Sequence, residues 1–277
     1  MRYNVPCEFP PGYDGTAILE RLEPVLDPEL DESILHLGFV RSLQVRTGHA
    51  TVTLQLPTSW CAMNFAYMMA EDIRRALLTV EGIHQVTVRL GDHCAAEDIE
   101  AAVNAGKPFS EAFPNEGCDS LAALRLTFLR KGFLSRQERL LRDLRAAGCS
   151  PAAICALCLS EVLVQDDACL IRQPGRASVE IGPAETLHRY LERRAELGLD
   201  CTPTAPLIVD LQGQPLPVER LQAYYQTART VRVSLEANGS FCRALLAVRH
   251  PNVPELSRQV SEGEIHVHPQ RTRPLCD

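Results

Sequence analysis

The sequence predicts an α/β protein in three parts: a small α-β-β-α-β domain over residues 1–107, a basic helical connector over 108–170, and a second small α/β domain over 171–277. Three observations carry this. Val52, Leu54 and Leu56 alternate with Thr51, Thr53 and Gln55, the two-residue period of a half-buried strand. Charge breaks near residue 119: the chain up to there holds 8 basic and 18 acidic residues, the remainder 20 and 17. Beyond residue 170, short apolar runs alternate with helical stretches that open on proline.

Residues 1 to 15, with three prolines and two glycines, read as an irregular arm. Thr16 to Leu26 places Ile18, Leu19, Leu22, Val25 and Leu26 on one helical face, and Asp27-Pro28-Glu29 stops that helix. Val40 to Arg46 is a strand, turned back by Thr47-Gly48 into the strand ending at Leu56. A helix then runs to about Leu78, and Val86, Val88 and Leu90 mark a third strand. Helices must cover one face of such a sheet.

Between the second strand and the second helix lies Leu56-Pro57-Thr58-Ser59-Trp60-Cys61-Ala62. Pro57 ends strand pairing because it has no N–H to donate. With Ser59 as helix cap, Cys61 becomes the second helical residue, where free N–H groups and the helix dipole favour a thiolate. The plain alternative is a cysteine that fills space.

Three motifs, Asp27-Pro28-Glu29-Leu30, Ile34-Leu35-His36-Leu37-Gly38-Phe39-Val40 and the Cys61 loop, match in order and spacing over about residues 16 to 92. In these the sequence resembles the SufT/PaaD-like family of metal–sulfur cluster assembly factors. The resemblance implies a role in maturing iron–sulfur proteins, with the family's reactive cysteine at Cys61, its Thr-rich loop at Thr58 and its acidic turn at Asp27 and Glu29. Trp60 departs from the small residue usual before the cysteine, and the cysteine-rich ribbon of PaaD-type relatives is missing. One cysteine cannot hold a cluster that takes four ligands. A lone thiolate can serve a cluster bridged across a homodimer, a transient handover or a persulfide. Asp27 and Glu29 can add hard oxygen ligands for iron, although turn chemistry and capping also account for them. His93 and Cys94, adjacent at the end of the third strand, are further candidate metal ligands, but neighbours in a strand point to opposite faces.

Leu121 to Ala147 is a helical segment with seven basic residues and two acids, in which Gly132 is a candidate break. Its charge reads as a solvated face, or as a surface that docks on the acidic first domain or an acidic partner. Ser150-Pro151 opens a helix whose Cys155 and Cys158 sit among apolar residues and read as core thiols. Ser178 to Ile181 and Pro206 to Leu211 read as strands, with a helix from Pro183 to Leu197 between them. A helix from Pro217 to about Ala228 follows, then strands at Val231–Leu235 and Phe241–Val248 joined by Asn238-Gly239. His266 and His268, with Cys276 nearby, are a last candidate metal pair in a proline-rich tail.

The 277-residue chain has a net charge of −7, which argues against nucleic acid as partner. No stretch approaches the ~20 apolar residues of a membrane span. Eleven cysteines, an odd number at irregular spacing with no signal peptide, argue for reduced thiols and a cytoplasmic protein. The leading reading is a non-catalytic accessory factor that delivers an iron–sulfur cluster or iron to a client metalloprotein, by analogy a multicomponent iron oxygenase. The alternatives are a chaperone or adaptor in which Cys61 is structural, and an enzyme with Cys61 as nucleophile and His36, His84 or His93 as base.

Overall fold

The structure, a computed structural model, describes residues 5–114, 121–172 and 178–250. Its fold is mixed α/β, as the sequence predicts. Strand β1 (Cys7–Glu8) arises from the arm. Helix α1 (Gly15–Leu22) starts at Asp14, whose side chain accepts from the Thr16 and Ala17 N–H groups, and buries Ile18, Leu19 and Leu22. It ends four residues before the expected Leu26. Pro24, not Pro28, is the stop, because it can supply no N–H to the next helical turn. Val25 and Leu26 therefore leave the helix, and β2 (Leu26–Asp27) pairs with β3 (Glu32–Ser33) around the acidic turn.

Strands β4 (Val40–Arg46) and β5 (His49–Gln55) form the expected hairpin. Thr47 and Gly48 both take positive φ, 49° and 76°, as a tight two-residue turn matched to strand twist requires. Helix α2 (Met63–Leu77) crosses over to β6 (Gln85–Gly91), which runs parallel to β5. The sheet order is β1-β4-β5-β6. Helix α3 (Ala96–Asn104) and the short α4 (Phe109–Ala112) complete this half. Its core joins Ile18, Leu22, Leu43, Val52, Ile73 and Leu90, among others.

Helix α5 (Leu121–Ala146) runs unbroken through Gly132. The glycine is there for close approach, not for a break. A Cβ at position 132 would lie 2.7 Å from Asp31 Oδ1 and 3.0 Å from Arg193 Nε, inside a buried ion cluster. Gly132→Ala is expected to destabilise the fold by about 1–3 kcal/mol through overpacking, although alanine is the better helix former. Urea unfolding checks this, and a neutral or stabilising alanine would refute it. Two of the seven basic residues of α5 reach the acidic first half, while Arg139 and Arg145 turn to Glu236 and Gln222. Arg125 donates to Asp72 at 2.6 and 3.0 Å and to Glu71 at 2.9 Å, and Arg136 donates to Asp31 at 2.7 and 3.1 Å.

The second core is built on α5, α6 (Pro151–Ala156), the antiparallel strands β7 (Val162–Gln165), β8 (Ala168–Ile171) and β9 (Val179–Pro183), and α7 (Ala184–Glu196). Cys155 and Cys158 are half-buried, with Cys158 beyond the end of α6. Three expected strands fail here. Leu207, Ile208 and Val209 are buried without forming a strand. Side chains hold their carbonyls instead: Tyr190 Oη and Arg194 donate to Leu207 O, and Gln137 and Tyr224 donate to Val209 O. The expected strand pair from Val231 onward is part of one long helix, α8 (Val218–Arg249). Its buried residues Leu221, Ala228, Leu235, Gly239 and Leu246 form a narrow stripe, in steps of seven, seven, four and seven residues. Leu221 packs in the second core and Leu246 in the first, so α8 lies across both halves. The His266/His268 pair and Cys276 lie outside the described residues.

Candidate functional site

The loop that leaves β5 brings Thr58, half-buried, and then Ser59, Trp60 and Cys61 to the start of α2. Cys61 lies two residues before Met63, the first residue of α2, and Ala62 is the cap, with no side-chain capping bond. The expected place in the first helical turn is therefore corrected. Ser59 does not cap the helix; its Oγ accepts a hydrogen bond from Arg249 of α8. The expected thiolate is corrected as well. Burial pushes the Cys61 thiol up to about 12, with Asp27, Cys242 and Glu29 adding to the effect and the Ala62 N–H opposing it. Iodoacetamide should accordingly leave native Cys61 largely unmodified at pH 8, with the rate still climbing at pH 10, as peptide mapping would show. Rapid labelling at pH 7 would contradict this environment.

His93 holds the loop rather than serving it as a base. Its Nε2–H donates to the Cys61 carbonyl at 2.8 Å, and its Nδ1 accepts from the Ala95 N–H at 3.1 Å. Both ring nitrogens are engaged, so His93 offers no lone pair to a metal or to a thiol proton. Cys94 is exposed, and its N–H donates to Ser59 O at 2.9 Å. His36 faces Glu23 at 3.5 Å, and His84 sits beside Gly48, at the far end of β5 from the loop. None of the three candidate bases is set against the sulfur.

The charges of the acidic turn reach the loop. Asp27 is buried; its Oδ1 accepts from Glu29 N–H at 2.8 Å and Leu30 N–H at 3.0 Å, so it builds the turn. Burial pushes its carboxyl up to about 6, against the pull of those two N–H groups. The half-buried Glu29 lies on the same turn, and both acids act electrostatically on Cys61.

A second thiol, which the sequence reading placed in a strand, joins them. Cys242 lies on α8, is half-buried against the first core, and feels the same Asp27 and Glu29. The signal that could have found it is the seven-residue step from Leu235 along the buried stripe. Two thiols and two carboxylates suit iron, which accepts both soft sulfur and hard oxygen. Among the described residues no group of three or more His, Cys, Asp or Glu side chains is arranged to hold a metal ion.

Residues 16–90 match the model of a family described as iron-sulfur cluster assembly protein. This span contains Asp27, Glu29, Thr58 and Cys61. It is a SufT/PaaD-like domain. An iron-sulfur cluster carrier protein from Synechocystis sp. is 34% identical over 74 residues, which is 27% of this chain and 20% of that relative. The chain thus spans about a fifth of the length of the curated relative it matches. No solved structure matches it. The family match stops before α5, so Cys242 and the helix that carries it lie outside the SufT/PaaD-like domain.

Proposed function

We propose that this protein is a non-catalytic carrier or assembly factor, which takes an iron–sulfur cluster or iron as cargo on Cys61 and passes it to a client protein. The observation that supports this best is the family match over 16–90, which takes in both the acidic turn and the cysteine loop. A thiol kept protonated binds iron only as its proton leaves, which weakens the hold and suits release to a client. The client class suggested by the resemblance is a multicomponent iron oxygenase in the cytoplasm. No helix among the described residues is long and apolar enough to cross a membrane.

The test is anaerobic reconstitution with ferrous iron and sulfide, followed by iron and acid-labile sulfide analysis of the wild type and Cys61→Ala. Trp60, the chain's one tryptophan, is 81% exposed beside Cys61, so its fluorescence should be quenched as cargo binds. Loss of an outer-shell partner already costs ~10–100-fold in metal affinity, so losing the ligand itself should cut binding by at least about tenfold. Cargo retained by Cys61→Ala would move the site elsewhere. No cargo on the wild type would favour a chaperone or adaptor.

A further inference from the structure

The last three turns of α8 are fastened along the rim of the SufT/PaaD-like site. Arg243 donates to both Glu32 oxygens, at 2.9 and 2.7 Å, just past the acidic turn. Gly239 rests on the same carboxylate, where a Cβ would come within 3.4 Å of Glu32 Oε2. At the other end, Arg249 donates to Ser59 Oγ and to Asp92 O, and His250 Nδ1 meets Gln55 Nε2 at 2.5 Å. Position 32 borders the acidic turn, and positions 55 and 59 lead into Cys61. The helix is thus held on both sides of the site, and Gly239, Cys242 and Leu246 form its inward stripe between those fastenings. Cys61 and Cys242 both pack on the first hydrophobic core. Arg249 Nη1 and His250 Nε2 are buried there without a hydrogen-bond partner.

Resting on the carrier reading, we propose that Cys242 is the second sulfur ligand of this site: Cys61 and Cys242 together hold one iron of a two-iron, two-sulfide cluster. Each iron of such a cluster takes two protein ligands besides its bridging sulfides. The chain fills one iron and leaves the other to be ligated by a client or by a second copy of the chain. Loading from a cluster that carries low-molecular-weight thiolates is a ligand exchange without redox change. Two Fe–S bonds form to Cys61 and Cys242, two break to the departing thiolates, and the two protein S–H protons leave with those thiolates as free thiols. The half-filled cluster gives α8 a chemical role that the matched domain alone lacks.

The test loads the full chain anaerobically with a two-iron, two-sulfide cluster ligated by glutathione. It compares wild type, Cys61→Ser, Cys242→Ser, Cys242→Ala and, as an exposed-thiol control in the second half, Cys201→Ser. Iron and sulfide per chain and visible circular dichroism are the readouts, with thermal unfolding to confirm that each variant is folded. Both Cys242 variants should fall with Cys61→Ser, by about tenfold or more in bound cluster, while Cys201→Ser keeps the wild-type value. Cys242 variants that are folded and retain wild-type cluster and spectrum, while Cys61→Ser loses both, would overturn the inference and leave the carrier reading standing. A wild type that takes up no cluster would overturn the carrier reading and the inference with it.

Discussion

Asp31→Asn should destabilise the protein by about 3–5 kcal/mol at pH 7, the cost of breaking a buried ion pair from one side. Asp31 is buried and receives Arg136 at 2.7 and 3.1 Å and Arg193 at 2.9 and 2.5 Å. Burial works against its charge, but Arg193 and Arg136 prevail and hold the carboxyl below the usual range. An asparagine would leave two buried guanidiniums facing, as acidic partners, Glu192 and Glu196, both at least half exposed, with the Arg189 carbonyl as a further acceptor for Arg136. The loss should also loosen the two halves, because Asp31 belongs to the first and Arg193 to the second. Because the folded carboxyl titrates below its unfolded value, its contribution is complete above about pH 4 and disappears only as pH falls through the folded pKa. Urea unfolding at pH 7 measures the effect. Adding Arg193→Met should recover part of it by removing one stranded charge. A loss under about 1 kcal/mol for Asp31→Asn would mean that the cluster contributes no more than a surface pair.

Asp27→Asn should have the opposite sign. The Asp27 carboxyl is pushed up to about 6 by burial, with Glu29 and Glu32 adding to the effect. Between about pH 4 and pH 6 the folded chain keeps a proton that the unfolded chain has released, so stability falls as pH rises through this window. Above it, the ionised Asp27 costs up to about 3 kcal/mol, from a rise of roughly two pKa units. Asparagine keeps an oxygen for the Glu29 and Leu30 N–H groups and cannot ionise. The variant should therefore be more stable than wild type by about 1–3 kcal/mol at pH 8 and should match it near pH 4. A pH-independent difference, or a loss at pH 8, would contradict this. An acid that weakens its own fold at working pH fits a position held for the chemistry of the thiols beside it.

The parts legible in the sequence are those fixed by local patterns. Alternation from Thr51 to Leu56 gave β5, and the acidic turn and the Cys61 loop were recognised because each is a short run of adjacent residues. Helix α8 is illegible in the local sequence for a physical reason. Val231, Val233 and Leu235 alternate, and Asn238-Gly239 resembles a hairpin turn, so local chemistry favoured strands. What overrides it is tertiary: Arg232 donates to the fully buried Glu138 at 2.5 Å, and Arg139 donates to Glu236 at 3.0 Å. Such partners lie about a hundred residues away in sequence, and no local window reveals them. The protonated state of Cys61 escaped for a similar reason. Its surroundings are built by Asp27 and by α8 as much as by its own loop.

Helix α8 also sets a rule for chain length. Each residue of an α-helix turns the next by about 100°. A single residue inserted between Leu235 and Gly239 would leave Leu221 seated on the second core. It would swing Cys242, Arg243 and Arg249 together off their partners. Seven inserted residues would restore the angle but carry those groups about 10 Å further along the axis. The distance between the two cores and the bearing of Cys242 are thus counted out in residues along one rod.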